Sequence, residues 1–202
     1  MQKITLIGMG ASAATLTAEG WDALRRAERV AGARRLLDAL PAEVTAERIP
    51  AVRPEEILPA LEGACSAAVL YSGDTGFYSG AAGLLERLAQ KGIPARVVPG
   101  ISSVQLLAAR LGRPWQDWKL VSAHGTDCDP VAAVCQGRPV FFLTGGKDTG
   151  PADLCARLAE AGLGDLPVTV GENLACAGEA ITTGTAAQLA KRAFGQIGRA
   201  HV

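Results

Sequence analysis

One carboxylate, Asp74, stands in the run Ser72-Gly73-Asp74-Thr75-Gly76-Phe77-Tyr78-Ser79-Gly80. Three glycines there let backbone approach a ligand closely and take positive φ where the turn needs it. The run suits the holding of a small polar ligand against main chain. A solvated turn that needs glycine only for geometry is the competing reading, and for Gly76 or Gly80 alone it is the better one. A hydroxyl pair, Ser102-Ser103, follows Pro99-Gly100-Ile101 and is either a second wall of the same pocket or a helix cap. His124, Thr144, Lys147, Glu172 and Asn173 occupy further polar loops, each of which could be innocent taken singly. No nucleophile motif, catalytic triad or metal-ligand spacing is present.

The elements that must carry these residues alternate between strand and helix. Ala67–Leu70 is an apolar run leading into the Asp74 turn, and Ala82, Leu84, Leu85, Leu88 and Ala89 recur at helical spacing after it. Strands are expected over residues 3–7, 29–31, 43–49, 95–98, 118–122, 139–143, 167–170 and 179–183. Helices are expected from Thr15 or Thr17 to Glu28, over 34–40, 54–63 and 80–91, after Ser103 with Val104, Leu107, Ala108 and Leu111 on one face, and over 130–135, 151–161 and 186–193. Pro54 fits a first helical position, with Glu55 and Glu56 at the positive end of the dipole. The fold class is α/β. Periodicity breaks at Gly112–Asp117, so the expected division is residues 1–112, a linker 113–117, and residues 118–202. In such sheets ligands sit at the carboxyl ends of strands, where all the candidate loops lie.

Composition narrows the class. Lys plus Arg and Asp plus Glu both number 20, giving zero formal charge, which argues against broad nucleic-acid binding but not against a local cationic pocket. No apolar run approaches a membrane span, and Met1-Gln2-Lys3-Ile4 enters a strand without a signal pattern, so the cytoplasm is the expected compartment. The five cysteines form no Cys-x-x-Cys pair and are expected to be reduced and mostly buried.

Gly8-x-Gly10-x-x-Ala13 after the first strand fits a loose dinucleotide fingerprint. An NAD(P)-dependent oxidoreductase is therefore one reading. It lacks the acid expected at the end of the second strand, where Arg34 and Arg35 stand instead, and it leaves the Asp74 run unexplained.

The longer set of motifs resembles the tetrapyrrole methylase family, the class III S-adenosylmethionine methyltransferases. It comprises Gly8-x-Gly10, Ser72–Gly80, Pro99–Gln105, Arg110-Leu111-Gly112-x-Pro114-Trp115-Gln116-Asp117, Val121–Gly125, Thr144–Lys147 and Gly171-Glu172-Asn173. The last motifs are similar to the branch that methylates C-5 of a precorrin or cobalt-precorrin macrocycle in cobalamin biosynthesis. A sister methylase acting at another ring carbon or on a non-tetrapyrrole substrate stays open, as does a non-catalytic tetrapyrrole- or nucleotide-binding module. The resemblance implies two α/β domains with S-adenosylmethionine between them, in a homodimer. It assigns the cofactor to Gly8, Gly10, Gly73, Asp74, Thr75, Phe77, Tyr78, Ser102, Ser103, Thr144 and Gly171. It assigns the tetrapyrrole to His124, Lys147, Glu172 and Asn173, with no metal ligand. His124 is the candidate proton acceptor, or else binds a substrate carboxylate; Asp74 is expected to orient rather than to act as a base. Lys147, then Arg34, Arg35 and Arg113, are candidates for the acidic substrate side chains.

The chain departs from the family pattern at its end. Phe194–Val202 does not read as the final strand of the second domain, which is expected to be missing or altered. Some relatives carry a fused domain acting at C-15. This chain is too short for one, so C-5 methylation alone is expected, beside a separate C-15 methyltransferase and decarboxylase.

Overall fold

A computed structural model describes residues 3–124, 128–145 and 149–195, and the backbone of 198–201. The chain divides into two compact units, Met1–Ser102 and Ser103–Val202.

The first unit holds strands β1 (Lys3–Gly8), β2 (Arg29–Gly32), β3 (Glu47–Pro50), β4 (Ser66–Tyr71) and β5 (Ala95–Val98). They form one sheet in the order β3-β2-β4-β1-β5 with every pairing parallel. Its helices are α1 (Ala18–Arg26), α2 (Arg34–Asp38), α3 (Pro54–Leu61) and α4 (Ala81–Gln90). Strands buried on both faces read as apolar runs rather than alternations. Val30, Ala68 and Leu70 pack with Leu24, Leu36 and Leu37 on one face. Leu6, Ala67 and Val69 pack with Ile57, Leu61, Leu84 and Leu88 on the other.

Local chemistry fixes the helix ends. Thr17, not Thr15, caps α1, its Oγ1 accepting the Gly20 N–H at 3.1 Å. Glu56 Oε2 accepts the N–H groups of Val52 and Arg53 ahead of α3, which holds its carboxyl below the usual range. Gly92, at φ 66°, stops the chain after α4.

The second unit holds α5 (Ser103–Leu111), β6 (Lys119–Ser122), α6 (Pro130–Val134), β7 (Val140–Leu143), α7 (Pro151–Leu158), β8 (Pro167–Glu172), β9 (Ala180–Thr185), α8 (Ala186–Leu189) and β10 (Gly198–His201). Its sheet runs β6-β7-β10-β8-β9. β6 and β7 are parallel, and the other pairings are antiparallel. Cys155, Leu158, Val168, Val170 and Leu189 form one core cluster, and Val140, Phe142 and Leu154 belong to another.

Three features differ from the sequence reading. The tail that does not read as a strand supplies β10, which lies between β7 and β8 with Gly198–His201 paired to Glu172–Thr169. Its composition is poor in strand formers; a central strand takes its register from backbone bonds on both sides, so propensity is overridden. The division also falls before α5 rather than after it. Leu107 of α5 lies where a Cβ on Gly171 would meet it at 3.0 Å, so the break in helical periodicity at Gly112 is not the break in packing. The cysteines differ too: Cys65, Cys135 and Cys176 are exposed. Only Cys155 is buried, and burial pushes its thiol up to about 11.

Candidate active site

Three adjacent strands of the first sheet, β4, β1 and β5, end in the three glycine-bearing loops, and the loops are tied to one another. Gly10 and Gly73 form an isolated antiparallel bridge: the Gly10 N–H donates to the Gly73 carbonyl at 3.0 Å, and the Gly73 N–H to the Gly10 carbonyl at 2.8 Å. Both sit at positive φ, 72° and 69°, which glycine adopts freely. Asp74 ties the third loop. Its Oδ1 accepts the Gly100 N–H at 3.0 Å, and its Oδ2 accepts the Gly76 N–H of its own turn at 2.8 Å.

The crossing is tight. A Cβ on Gly8 would lie 2.6 Å from Gly100 N and 2.7 Å from the Gly73 oxygen, and one on Gly100 would meet the same Gly73 oxygen. Thr15 closes the first loop: its Oγ1 accepts from the Ala11 and Ser12 N–H groups and donates to the Ser12 carbonyl at 2.8 Å.

Around this crossing the candidate side chains differ in exposure. Thr75 and Ser102 are buried. Phe77 and Tyr78 meet edge to face, 4.9 Å between centroids, and Tyr78 is 53% exposed at φ 47°. That φ is unusual for a bulky residue and marks a strained site. The Tyr71 hydroxyl, at the end of β4, is buried without a partner among the described residues, and desolvation pushes it up to about 12.

In the second unit, β6 and β7 lie side by side and end at His124 and at Thr144-Gly145. The exposed His124 ring occupies the space beside Gly145, whose Cβ would fall 2.5 Å from Nδ1. Gly145 itself sits at φ 140°. Thr144 is buried. Ser103, the first residue of α5, is buried with its Oγ unpartnered among the described residues. Gly171 is packed by Leu107 and Leu174. Glu172 Oε1 accepts the Gly195 N–H at 2.8 Å. Asn173 takes φ 49° and its Nδ2 donates to the Gly178 carbonyl at 3.3 Å. Lys147 lies outside the described residues. Among the candidates, the structure gathers Gly8, Gly10, Gly73 and Asp74 at one crossing, and sets His124 against the Thr144-Gly145 loop.

Two residues escaped the sequence reading as site residues. Gly100 belongs to the crossing as fully as Gly73, and the signal was its place two residues after a strand and before a hydroxyl pair. Thr15 was weighed only as a helix cap.

The family model described as Tetrapyrrole (Corrin/Porphyrin) Methylases matches residues 3–190. The chain belongs to the tetrapyrrole methylase family. Gly8, Gly10 and Ala13 fall inside that match, so the first glycine loop is a methylase loop and the oxidoreductase reading is set aside. A cobalt-precorrin-7 C(5)-methyltransferase of Salmonella typhimurium is 33% identical over 194 residues, covering 88% of each chain. A precorrin-6Y C(5,15)-methyltransferase [decarboxylating] of a Sinorhizobium species is 41% identical over 121 residues, 59% of this chain and 29% of that protein. The chain thus spans under a third of that relative and most of the other. Among solved structures, the uroporphyrin-III C-methyl transferase of Thermus thermophilus, complexed with S-adenyl homocysteine, superimposes with a TM-score of 0.79 at 20% identity. The match covers 98% of this chain and 91% of that one, and it shows the fold.

Proposed function

We propose that the chain is an S-adenosylmethionine-dependent C-methyltransferase acting on C-5 of a precorrin-6Y or cobalt-precorrin-7 macrocycle in cobalamin biosynthesis. The observation that carries this reading is the similarity to the Salmonella C(5) enzyme, 33% over 88% of each chain.

The residues present fit the cofactor in kind. Glycine backbone at Gly73 leaves room, with nothing nearer to a Cβ there than 3.9 Å. Thr75 and Ser102 are buried hydroxyls, and Ser103 Oγ lacks a partner among the described residues. Gly8, Gly10 and Asp74–Tyr78 complete the proposed holding surface of the first unit; Thr144 and Gly171 are assigned to the cofactor on the family resemblance.

The bound cofactor supplies an electrophilic methyl carbon for in-line transfer. The chain's share is to hold the reactants at near-attack distance. Asp74 does this through the backbone it binds, since both carboxylate oxygens already accept N–H groups. His124 takes the proton that carbon methylation releases, or binds a substrate carboxylate. Lys147, Glu172 and Asn173 form the proposed macrocycle surface, with Arg34, Arg35 and Arg113 available for acidic side chains. Further parts of the reading are a cytoplasmic homodimer and a separate C-15 methyltransferase and decarboxylase. No helix among the described residues is long and apolar enough to cross a membrane.

Isothermal titration calorimetry with S-adenosylhomocysteine tests the reading, followed by a methylation assay with the macrocycle. Saturable binding and a single C-5 methylation are expected. A folded protein that binds no S-adenosylhomocysteine sinks the cofactor assignment; binding with methylation at another carbon moves the chain to a sister activity.

A further inference from the structure

The turn between β8 and β9 is held against its own backbone preference. Asn173 and Ala175 take φ values of 49° and 57°, the left-handed region that crowds any residue with a Cβ. Asparagine tolerates it comparatively well, but Ala175 has no side-chain group that could compensate. Glu179 supplies what holds it. Its Oε2 accepts the Ala175 N–H at 2.5 Å. The same carboxylate takes a two-pronged bond from Arg110 of α5, Nε to Oε1 at 2.5 Å and Nη2 to Oε2 at 3.1 Å. Within the turn, the Cys176 N–H donates to the Asn173 carbonyl at 2.8 Å, and the Asn173 amide donates to Gly178. Leu174, buried, anchors the turn beside Gly171.

A solvent-exposed ion pair contributes little to global stability. This one is partly exposed, with the two side chains at 42% and 26%, yet it is bidentate, and its acceptor also holds the strained turn. Its consequence is local: helix α5 sets the conformation of residues 173–179.

We propose that Arg110 and Glu179 are positioning residues that fix the turn of residues 173–179, and with it Asn173, for the macrocycle. The inference rests on the methyltransferase reading, in which Asn173 meets the substrate. Neither residue touches a reacting atom. The pair lowers the number of conformations from which Asn173 must be recruited on binding, so its loss weakens substrate capture and leaves the chemical step alone.

The test compares wild type with Arg110→Lys, Glu179→Gln and Glu179→Ala by amide hydrogen exchange and by macrocycle methylation kinetics. Glu179→Gln keeps an acceptor for the Ala175 N–H and so falls between wild type and Glu179→Ala, which guards against a variant that fails to fold. Exchange at Ala175 and Cys176 is expected to quicken about tenfold in Glu179→Ala. KM for the macrocycle should rise about tenfold, with kcat and S-adenosylhomocysteine affinity within about twofold. Unchanged exchange overturns the clamp. Faster exchange with an unmoved KM reduces the pair to a local structural contact and overturns the positioning role. Wild-type protein without turnover overturns the methyltransferase reading itself, and the role of Asn173 with it.

Discussion

Asp74 and Gly100, 26 residues apart in sequence, are joined by a 3.0 Å bond from the Gly100 N–H to Asp74 Oδ1. A carboxylate that accepts two backbone N–H groups is a brace between loops. Removing it leaves both N–H groups to find water or rearrange. Asp74→Ala should lower stability by about 2 kcal/mol, the scale of hydrogen bonds to a charged group, and should abolish measurable S-adenosylhomocysteine binding. Asp74→Asn keeps one acceptor and should fall between. Thermal unfolding and calorimetry on the same samples decide it: loss of binding with unchanged stability would mean Asp74 contacts the ligand rather than braces the loops.

Gly100→Ala attacks the same crossing from the other side. The added Cβ meets the Gly73 carbonyl and comes within 2.5 Å of the Gly8 oxygen, all backbone. Backbone cannot rotate away as a side chain can, so the loops must part, at a cost of about 3 kcal/mol. Gly112→Ala, with φ 60° but open space around its Cβ, serves as the control for backbone strain alone. A Gly100→Ala protein as stable as Gly112→Ala, with binding intact, would show that the crossing is looser than described.

Much of this was legible in the sequence. The run Ala67–Leu70 ahead of Asp74 marks a strand buried on both faces, and glycines at strand ends mark the loops. What the chain could not reveal was pairing between distant loops: the place of Gly100 after a strand and before a hydroxyl pair marks a loop, but not its constraint, which is the backbone of residues 8 and 73. The tail shows the same limit. Gly198–His201 has no strand signature, and backbone pairing with β7 and β8 places it in the sheet. His124 could be named as reactive, but its dependence on Gly145 is a contact across two strand ends and has no signature in either segment.

Tyr71 offers a pH-dependent test. Its hydroxyl is buried without a partner among the described residues, and desolvation raises it from an ordinary 10 to about 12. A phenol raised in the folded state by desolvation leaves stability independent of its titration below pH 10. Stability declines as pH climbs from about 10 to about 12, because the unfolded chain ionises first. Tyr71→Phe removes both the decline and the unmet hydroxyl. It should raise stability at neutral pH by about 1 kcal/mol and flatten the loss between pH 10 and 12. Denaturant unfolding of both proteins across that range checks it; a destabilised Tyr71→Phe would mean the hydroxyl has a partner worth keeping.

His124 depends on the absence of a side chain at residue 145. A Cβ there would lie 2.5 Å from Nδ1 and 3.1 Å from Cε1, on a backbone at φ 140° that disfavours any L side chain. In Gly145→Ala the imidazole must swing away or the β7 loop must shift. If His124 accepts the proton released on carbon methylation, Gly145→Ala should reproduce the defect of His124→Ala: kcat down by about 10²-fold, the usual contribution of a positioned base, with S-adenosylhomocysteine binding retained. The double variant should then be no worse than either single one, because both remove the same function. If His124 instead binds a substrate carboxylate, the loss appears in KM and His124→Gln restores part of it. Steady-state methylation kinetics on the four variants separate the two roles, and full activity in His124→Ala would remove the residue from the mechanism altogether.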